Sequence, residues 1–166
     1  LALGLTPELW LGDFDSSPPW LQEALSAPKE VLPREKDLTD GEALLRKALE
    51  LGAEEVLLLG ALGGRLDHTL VHLELAFLLA QKGVRVELTD GRSRAFPLLP
   101  GRHAFPLEPK TPFSRLPFPE ATLGVEGARW DLPPTALKAT SRTLENEALG
   151  PIRVRVEAGR ALLYLF

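Results

Sequence analysis

The sequence contains no cysteine, which excludes disulfides, thiolate metal sites and a cysteine nucleophile. Redox chemistry therefore does not fix a compartment, and a reducing cytosol is the expected one. Methionine is absent too, even at position 1. The chain opens in the middle of what reads as a structural unit, so residues are expected to precede Leu1. No run of about 18 or more apolar residues occurs, so nothing reads as a membrane-spanning helix. The first residues lack the charged-then-apolar pattern of a signal peptide. A basic excess is also missing: the formal net charge is −4 and the pI is near 5.5. That balance argues against a nucleic-acid surface, and neither nucleic acid nor membrane is an expected partner.

What is present suits a soluble globular protein. The 166 residues are 45% hydrophobic and 25% charged, enough for one compact domain or two small ones. Up to about residue 90 the chain alternates strand-like and helix-like segments. Leu9-Trp10-Leu11 reads as a short strand running into Gly12-Asp13-Phe14-Asp15-Ser16. Trp20 to Leu25 suits one or two helical turns, and Val31-Leu32 a brief strand. Thr39-Asp40-Gly41-Glu42 has capping-box spacing, and Gly52 is placed to end the helix it opens. Val56 to Leu59 is a continuous apolar run that predicts a strand buried on both faces of a parallel sheet. A Gly-rich turn at 60–64, a helix from about Asp67 to Lys82 ending at Gly83, and a strand at 84–88 complete a βαβ pattern.

Beyond Asp90-Gly91 short apolar runs alternate with Pro and Gly. Segments 94–99, 113–116, 122–130, 152–156 and 161–166 read as short strands of a small antiparallel sandwich. The expected architecture is α/β. A Rossmann-like parallel domain over 1–90, missing its first strand, precedes a β-sandwich over 91–166.

Three segments carry chemistry, each where a strand or turn hands over to the next element, the edge where open α/β sheets bind ligands. Asp13 and Asp15 lie two apart; on extended chain they point to one side and suit a hard cation, or they form a solvated acidic turn. Lys36-Asp37-Leu38-Thr39-Asp40 mixes helix-capping residues with Lys36 and Asp37, which capping does not explain. Gly60-Ala61-Leu62-Gly63-Gly64-Arg65-Leu66-Asp67-His68 is either an ordinary tight turn or a phosphate cradle at a helix start, with Arg65 as a fork of donors. It is neither a P-loop nor a dinucleotide-binding turn. His68 and His72 share a helix face, but Thr69 stands where a zinc H-E-x-x-H motif needs Glu.

In this order, Gly-Asp-x-Asp-Ser, Lys-Asp-x-Thr-Asp and Gly-Gly-Arg-x-Asp-His together resemble the thiamine pyrophosphokinase family. Weaker likenesses follow. Phe113-Ser114-Arg115-Leu116-Pro117 is similar to a family strand with Leu at the third place. Gly127 to Leu132 and Asn146-Glu147 are similar to later family segments, with Glu145 where the family usually has Ser. The family's first strand and its Asp-Gly-Gly segment would precede Leu1.

The resemblance implies ATP and thiamine as substrates, Mg²⁺, and a reaction that yields thiamine diphosphate and AMP. It implies Asp13, Asp15 and Asp37 as metal ligands at the triphosphate. Asp40 would serve the thiamine hydroxyl, Arg65 the transferred phosphates, and Asp67 would orient Arg65 or join the metal shell. Lys36, Gly63, Gly64 and His68 would contact phosphate. A homodimer with Thr143 and Asn146 on the thiamine side is also implied. Alternatives are transfer to another small alcohol, and a non-catalytic nucleotide or cofactor sensor of the same fold.

Overall fold

The computed structural model describes residues 4–15, 17–33 and 39–166. The chain divides into two compact units, Leu1–Ala53 and Glu54–Phe166. No helix among the described residues is long and apolar enough to cross a membrane.

The smaller unit opens with β1 (Trp10–Gly12), α1 (Pro19–Ala24) and β2 (Lys29–Val31). β1 and β2 pair in parallel, Trp10 against Lys29 and Gly12 against Val31, so α1 is the crossover of a βαβ unit. Pro19 sits at the first helical position, where a missing N–H costs nothing. α2 (Asp40–Glu50) follows with Thr39 as N-cap, its hydroxyl accepting from Glu42 N at 3.2 Å. The predicted capping box is half made, since the Glu42 carboxylate goes to Arg46 at 2.6 Å. At the other end Gly52 adopts φ +81°. Gly52 N donates to Leu49 O and Ala53 N to Ala48 O, both at 3.0 Å, which is a Schellman closure.

The larger unit begins with β3 (Glu55–Leu59), α3 (Leu66–Gln81) and β4 (Arg85–Thr89). β3 and β4 are parallel, with Leu57 opposite Glu87. α3 ends as α2 does: Gly83 lies at φ +86° and Val84 N donates to Leu79 O. Burial on both faces of β3 is not what the structure shows. Leu57 and Leu59 are more than half exposed: they share with Glu55 one face of the strand that stays exposed, while Val56 and Leu58 on the other face are half-buried, and among the described residues β3 is an edge strand paired with β4.

The composition change near residue 90 falls at the turn from β4 into β5 (Arg94–Leu98), and these strands pair antiparallel in one sheet. That sheet goes on through β6 (Gly101–Phe105), β7 (Pro112–Ala128), β8 (Leu132–Lys138) and β9 (Asn146–Leu165), in the order β3-β4-β5-β9-β7-β8 with β6 also on β9. Segments 113–116 and 122–130 are therefore parts of one long strand, as are 152–156 and 161–166. Their partner numbers fall along β9 as they rise along β7, from Phe113 against Leu165 to Leu123 against Val156. β9 meets β6 with its first half, Ile152 against Phe105, and β5 with its second, Leu163 against Phe96. One core takes Leu98, Phe113, Leu123, Leu137, Ile152 and Leu163 from both halves, so the sheet curls over itself instead of splitting into two separate sheets.

α3 is held to this sheet by Leu73, Ala76, Phe77 and Leu79, all buried. Phe77 lies 5.5 Å from the Phe118 ring, and the Arg160 guanidinium sits 4.5 Å from the Phe77 ring. Arg160 also donates to Phe118 O at 3.0 Å and to Glu74 at 2.6 Å. This cluster fixes the helix whose first turn carries Arg65 and Asp67.

The bend in β9 depends on Gly159, at φ +75°, where a Cβ would lie 2.3 Å from Glu120 O. Both the left-handed backbone and the close strand exclude a side chain. We expect Gly159→Ala to lower unfolding free energy by about 2–4 kcal/mol, measured by urea denaturation. Gly83→Ala, with nothing within 4 Å of its Cβ position, should cost only about 1 kcal/mol.

Candidate functional site

The acidic segment of the smaller unit starts where β1 stops. Asp13 follows Gly12, and the chain turns at once instead of staying extended. Phe14 has φ +59°, a left-handed conformation costing roughly 1–2 kcal/mol for a residue with a Cβ. Neighbouring rings hold it there: Trp10 meets Phe14 edge-on at 4.9 Å, and Lys29 Nζ lies 5.2 Å from the Trp10 ring and 5.9 Å from the Phe14 ring. Asp15 N donates to Asp13 Oδ1 at 3.2 Å, and Ser17 N to Phe14 O at 3.1 Å. The expectation that Asp13 and Asp15 share one side of a strand is thus replaced by a strained turn that presents both carboxylates.

Asp40 joins this turn from the start of α2. Its Oδ2 lies 3.1 Å from the place a Cβ on Gly12 would occupy, so glycine at 12 lets the carboxylate approach the end of β1. Lys36 and Asp37, and Ser16 of the first motif, lie outside the described residues.

Among the described residues no three His, Asp or Glu groups gather as a metal cluster. The donor chemistry nevertheless suits Mg²⁺. Carboxylate oxygens are hard ligands, and this ion is usually held by one or two of them while phosphates and waters complete its octahedron.

In the larger unit the loop after β3 carries the basic half. Gly60, Gly63 and Gly64 all have left-handed φ, +72°, +80° and +70°. No atom lies within 4 Å of their Cβ positions, so backbone conformation, not crowding, requires glycine at these places. The loop is fastened to α3 twice. Thr69 Oγ1 donates to Gly63 O at 3.1 Å, and His72 Nδ1 donates to Ala61 O at 3.2 Å. Neither tie was legible beforehand; the only signal is a hydroxyl and an imidazole on the loop side of the helix, one turn apart.

Arg65 is the N-cap position of α3, and Asp67 lies in its first turn. Their side chains meet as a fork, Arg65 Nε to Asp67 Oδ1 at 3.1 Å and Arg65 Nη2 to Asp67 Oδ2 at 2.5 Å. Asp67 Oδ1 also accepts from His68 N at 3.0 Å. The guanidinium hydrogen bond holds the Asp67 carboxyl down at about 2. Asp67 in turn raises the Arg65 pKa above its ordinary value. The pair is exposed, so its charge stays available to a ligand. His68 is also exposed, its ring 6.3 Å from that of His72.

Thr143 and Asn146 are buried. Thr143 Oγ1 donates to Thr140 O at 2.7 Å within the 3-10 turn Ser141–Thr143. Asn146 accepts from Trp130 N at 3.2 Å and Glu147 N at 2.9 Å, and donates to Trp130 O at 3.0 Å. Its amide staples the 128–131 turn to β9.

Comparison with known proteins places the chain in a family. A family model described as thiamin pyrophosphokinase, catalytic domain, matches residues 1–88. A curated thiamine pyrophosphokinase of Bacillus subtilis (strain 168) is 31% identical over 124 residues, 72% of this chain and 58% of that protein. The chain thus spans little more than half the length of that curated relative. Among solved structures, a thiamin pyrophosphokinase family protein from Enterococcus faecalis matches with TM-score 0.84 and 27% identity, over 99% of this chain and 81% of the other. The Bacillus subtilis thiamine pyrophosphokinase structure matches with TM-score 0.87 over 99% of this chain and 80% of its own, at 22% identity. That likeness speaks to the fold.

The Arg65–Asp67 fork makes a pH prediction. A depressed folded pKa contributes stability that is present above the unfolded value of 3.8 and lost as pH falls toward about 2. Carboxyl-carbon NMR should show Asp67 titrating near 2 in the intact protein. In Arg65→Ala the midpoint should return toward the ordinary aspartate range.

Proposed function

This chain belongs to the thiamin pyrophosphokinase family, and on that premise we propose that it transfers the diphosphate of ATP to the hydroxyl of thiamine. The observation that carries the reading is the exposed Arg65–Asp67 fork at the start of α3 behind a loop of left-handed glycines. A planar donor array on a helix N-terminus suits transferred phosphates, and Asp67 fixes the plane of the guanidinium.

In this reading the thiamine oxygen forms a bond to the β-phosphorus. The bond from that phosphorus to the oxygen bridging to the α-phosphate breaks, and AMP leaves with the electron pair. The hydroxyl proton passes to the Asp40 carboxylate. Such a transfer needs alignment and charge neutralisation more than covalent help. Asp13, Asp15 and Asp37 would hold Mg²⁺, which when bound neutralises phosphate charge that bare carboxylates would repel. The turn at Phe14 keeps Asp13 and Asp15 preorganised. Arg65 faces the charge that builds on the transferred group, with Lys36, Gly63, Gly64 and His68 as further phosphate contacts. Thr143 and Asn146 would shape the thiamine side, Asn146 by holding the Trp130 turn and Thr143 by closing the turn at 140–143. The reading includes a homodimer; Trp130, Leu144 and Leu149 are exposed apolar side chains of the kind a subunit contact covers.

Thiamine-dependent AMP release, with Mg²⁺ present, tests these assignments. Arg65→Ala should lower kcat by about 10²–10³-fold, and Asp13→Asn should lower it comparably while raising the Mg²⁺ concentration required. Arg65→Lys keeps the charge but loses the fork and should stay well below the parent. Full activity in both Asp13→Asn and Arg65→Ala would remove these residues from the site. Nucleotide binding without any product would favour a sensor.

A further inference from the structure

The loop between β3 and α3 needs outside help to keep one shape. Gly60, Gly63 and Gly64 are all left-handed, with open space at their Cβ positions. Glycine loses more freedom than any other residue when it is fixed, and nothing packs against these three to fix them. The loop is held by ties instead. At its start Gly60 N donates to Thr89 O at the end of β4, at 2.7 Å. Beyond that, among the described residues, it is held by two side chains of α3. His72 Nδ1 lies 3.2 Å from Ala61 O. A carbonyl only accepts, so His72 carries a proton on Nδ1.

Thr69 does more than a helical threonine usually does. Its hydroxyl lies 3.3 Å from Arg65 O, the common bond to the carbonyl four residues back. The shorter contact, at 3.1 Å, leaves the helix and reaches Gly63 O six residues back. Thr69 N also donates to Arg65 O at 3.1 Å. One residue therefore holds the backbone on both sides of Gly64. Threonine is a weak helix former, so the hydroxyl is what position 69 gains from it.

These ties have a direction. They turn the carbonyls of Ala61, Gly63 and Arg65 toward α3. The N–H groups of residues 61–65 donate to no protein acceptor among the described residues. Carbonyl oxygens repel phosphate oxygens and N–H groups attract them. A loop gripped by its carbonyls thus keeps its donors for an anion, next to the Arg65 fork. We propose that Thr69 and His72 are positioning residues for the nucleotide, setting the loop so that its N–H groups and the Arg65 guanidinium meet the phosphates together. Their role rests on the reading of this loop as the phosphate site, and they act through its carbonyls, not by touching substrate.

Titration calorimetry of the full chain with ATP and Mg²⁺, without thiamine, reads the loop separately from the reaction. Thr69→Val keeps the shape and removes the hydroxyl, and should weaken ATP binding about tenfold. Thr69→Ser returns the hydroxyl and should recover most of the loss. His72→Leu should also weaken ATP binding about tenfold. His72→Asn, whose amide Nδ2 takes the place of imidazole Nδ1, should recover most of it. In thiamine-dependent AMP release the KM for ATP should follow these affinities, and the KM for thiamine should stay at the parent value. Lower urea midpoints with unchanged ATP affinity would make the ties merely structural and overturn the proposal. So would Ser and Asn variants as weak as Val and Leu, or a thiamine KM that rises in step. A parent that binds ATP but forms no thiamine diphosphate, with Thr69→Val and His72→Leu weakened, would keep the positioning role and remove the transfer reaction. Product from the parent, with ATP affinity equal in all variants, would do the reverse. A parent that neither binds ATP nor forms product would remove both.

Discussion

The pairing of β7 with β9 is the constraint on which the larger unit depends. Among the described residues β9 is the strand with three partners: β6 along its first half, β5 along its second, and β7 along both. Through β5 it carries β4, β3 and α3, and through β7 it carries β8. Two strands of 17 and 20 residues bend enough to enclose one core only because Gly159 accepts a left-handed kink under the carbonyl of Glu120. Helix α3 is docked at this bend through Arg160, the residue next to Gly159, with Phe77 and Phe118. The position of Arg65 is thus a consequence of β-strand pairing far along the chain.

The candidate site segments are built from local strain and local ties instead. Phe14 sits at positive φ under the Trp10 ring, and three left-handed glycines lead from β3 to α3. Both follow a strand that is one of a parallel pair, where peptide carbonyls and helix starts converge. Preorganisation of this kind lets carboxylates or a guanidinium wait at fixed positions, so little reorganisation is left for the moment of reaction.

The helices of the chain were legible in its sequence because their signals are local. The Thr39 cap, and Gly52 and Gly83 as stops, act within a few residues, and the structure realises each of them. The long strands were not legible. Pro117, Pro119 and Gly159 lie in the gaps between the predicted short strands, yet β7 and β9 run through all three, with Gly159 supplying the kink. β8, with Pro133 and Pro134, carries no strand signal in the sequence for the same reason. Among the described residues it is an edge strand bonded to β7 alone, where proline is tolerated. Motif order identified Asp13, Asp15, Asp40, Arg65 and Asp67 as residues of interest. It did not reveal that Asp13 and Asp15 occupy a strained turn, because positive φ at a phenylalanine depends on ring contacts from Trp10.

Diphosphate transfer is tested most directly by the fate of the β-phosphorus. ATP labelled only there is incubated with the full chain, thiamine and Mg²⁺, and the products are separated. Diphosphate transfer puts the label in thiamine diphosphate, one for each unlabelled AMP released. Label retained in ADP, with unlabelled thiamine monophosphate beside it, would show that only the terminal phosphoryl group moves and would contradict the assignment.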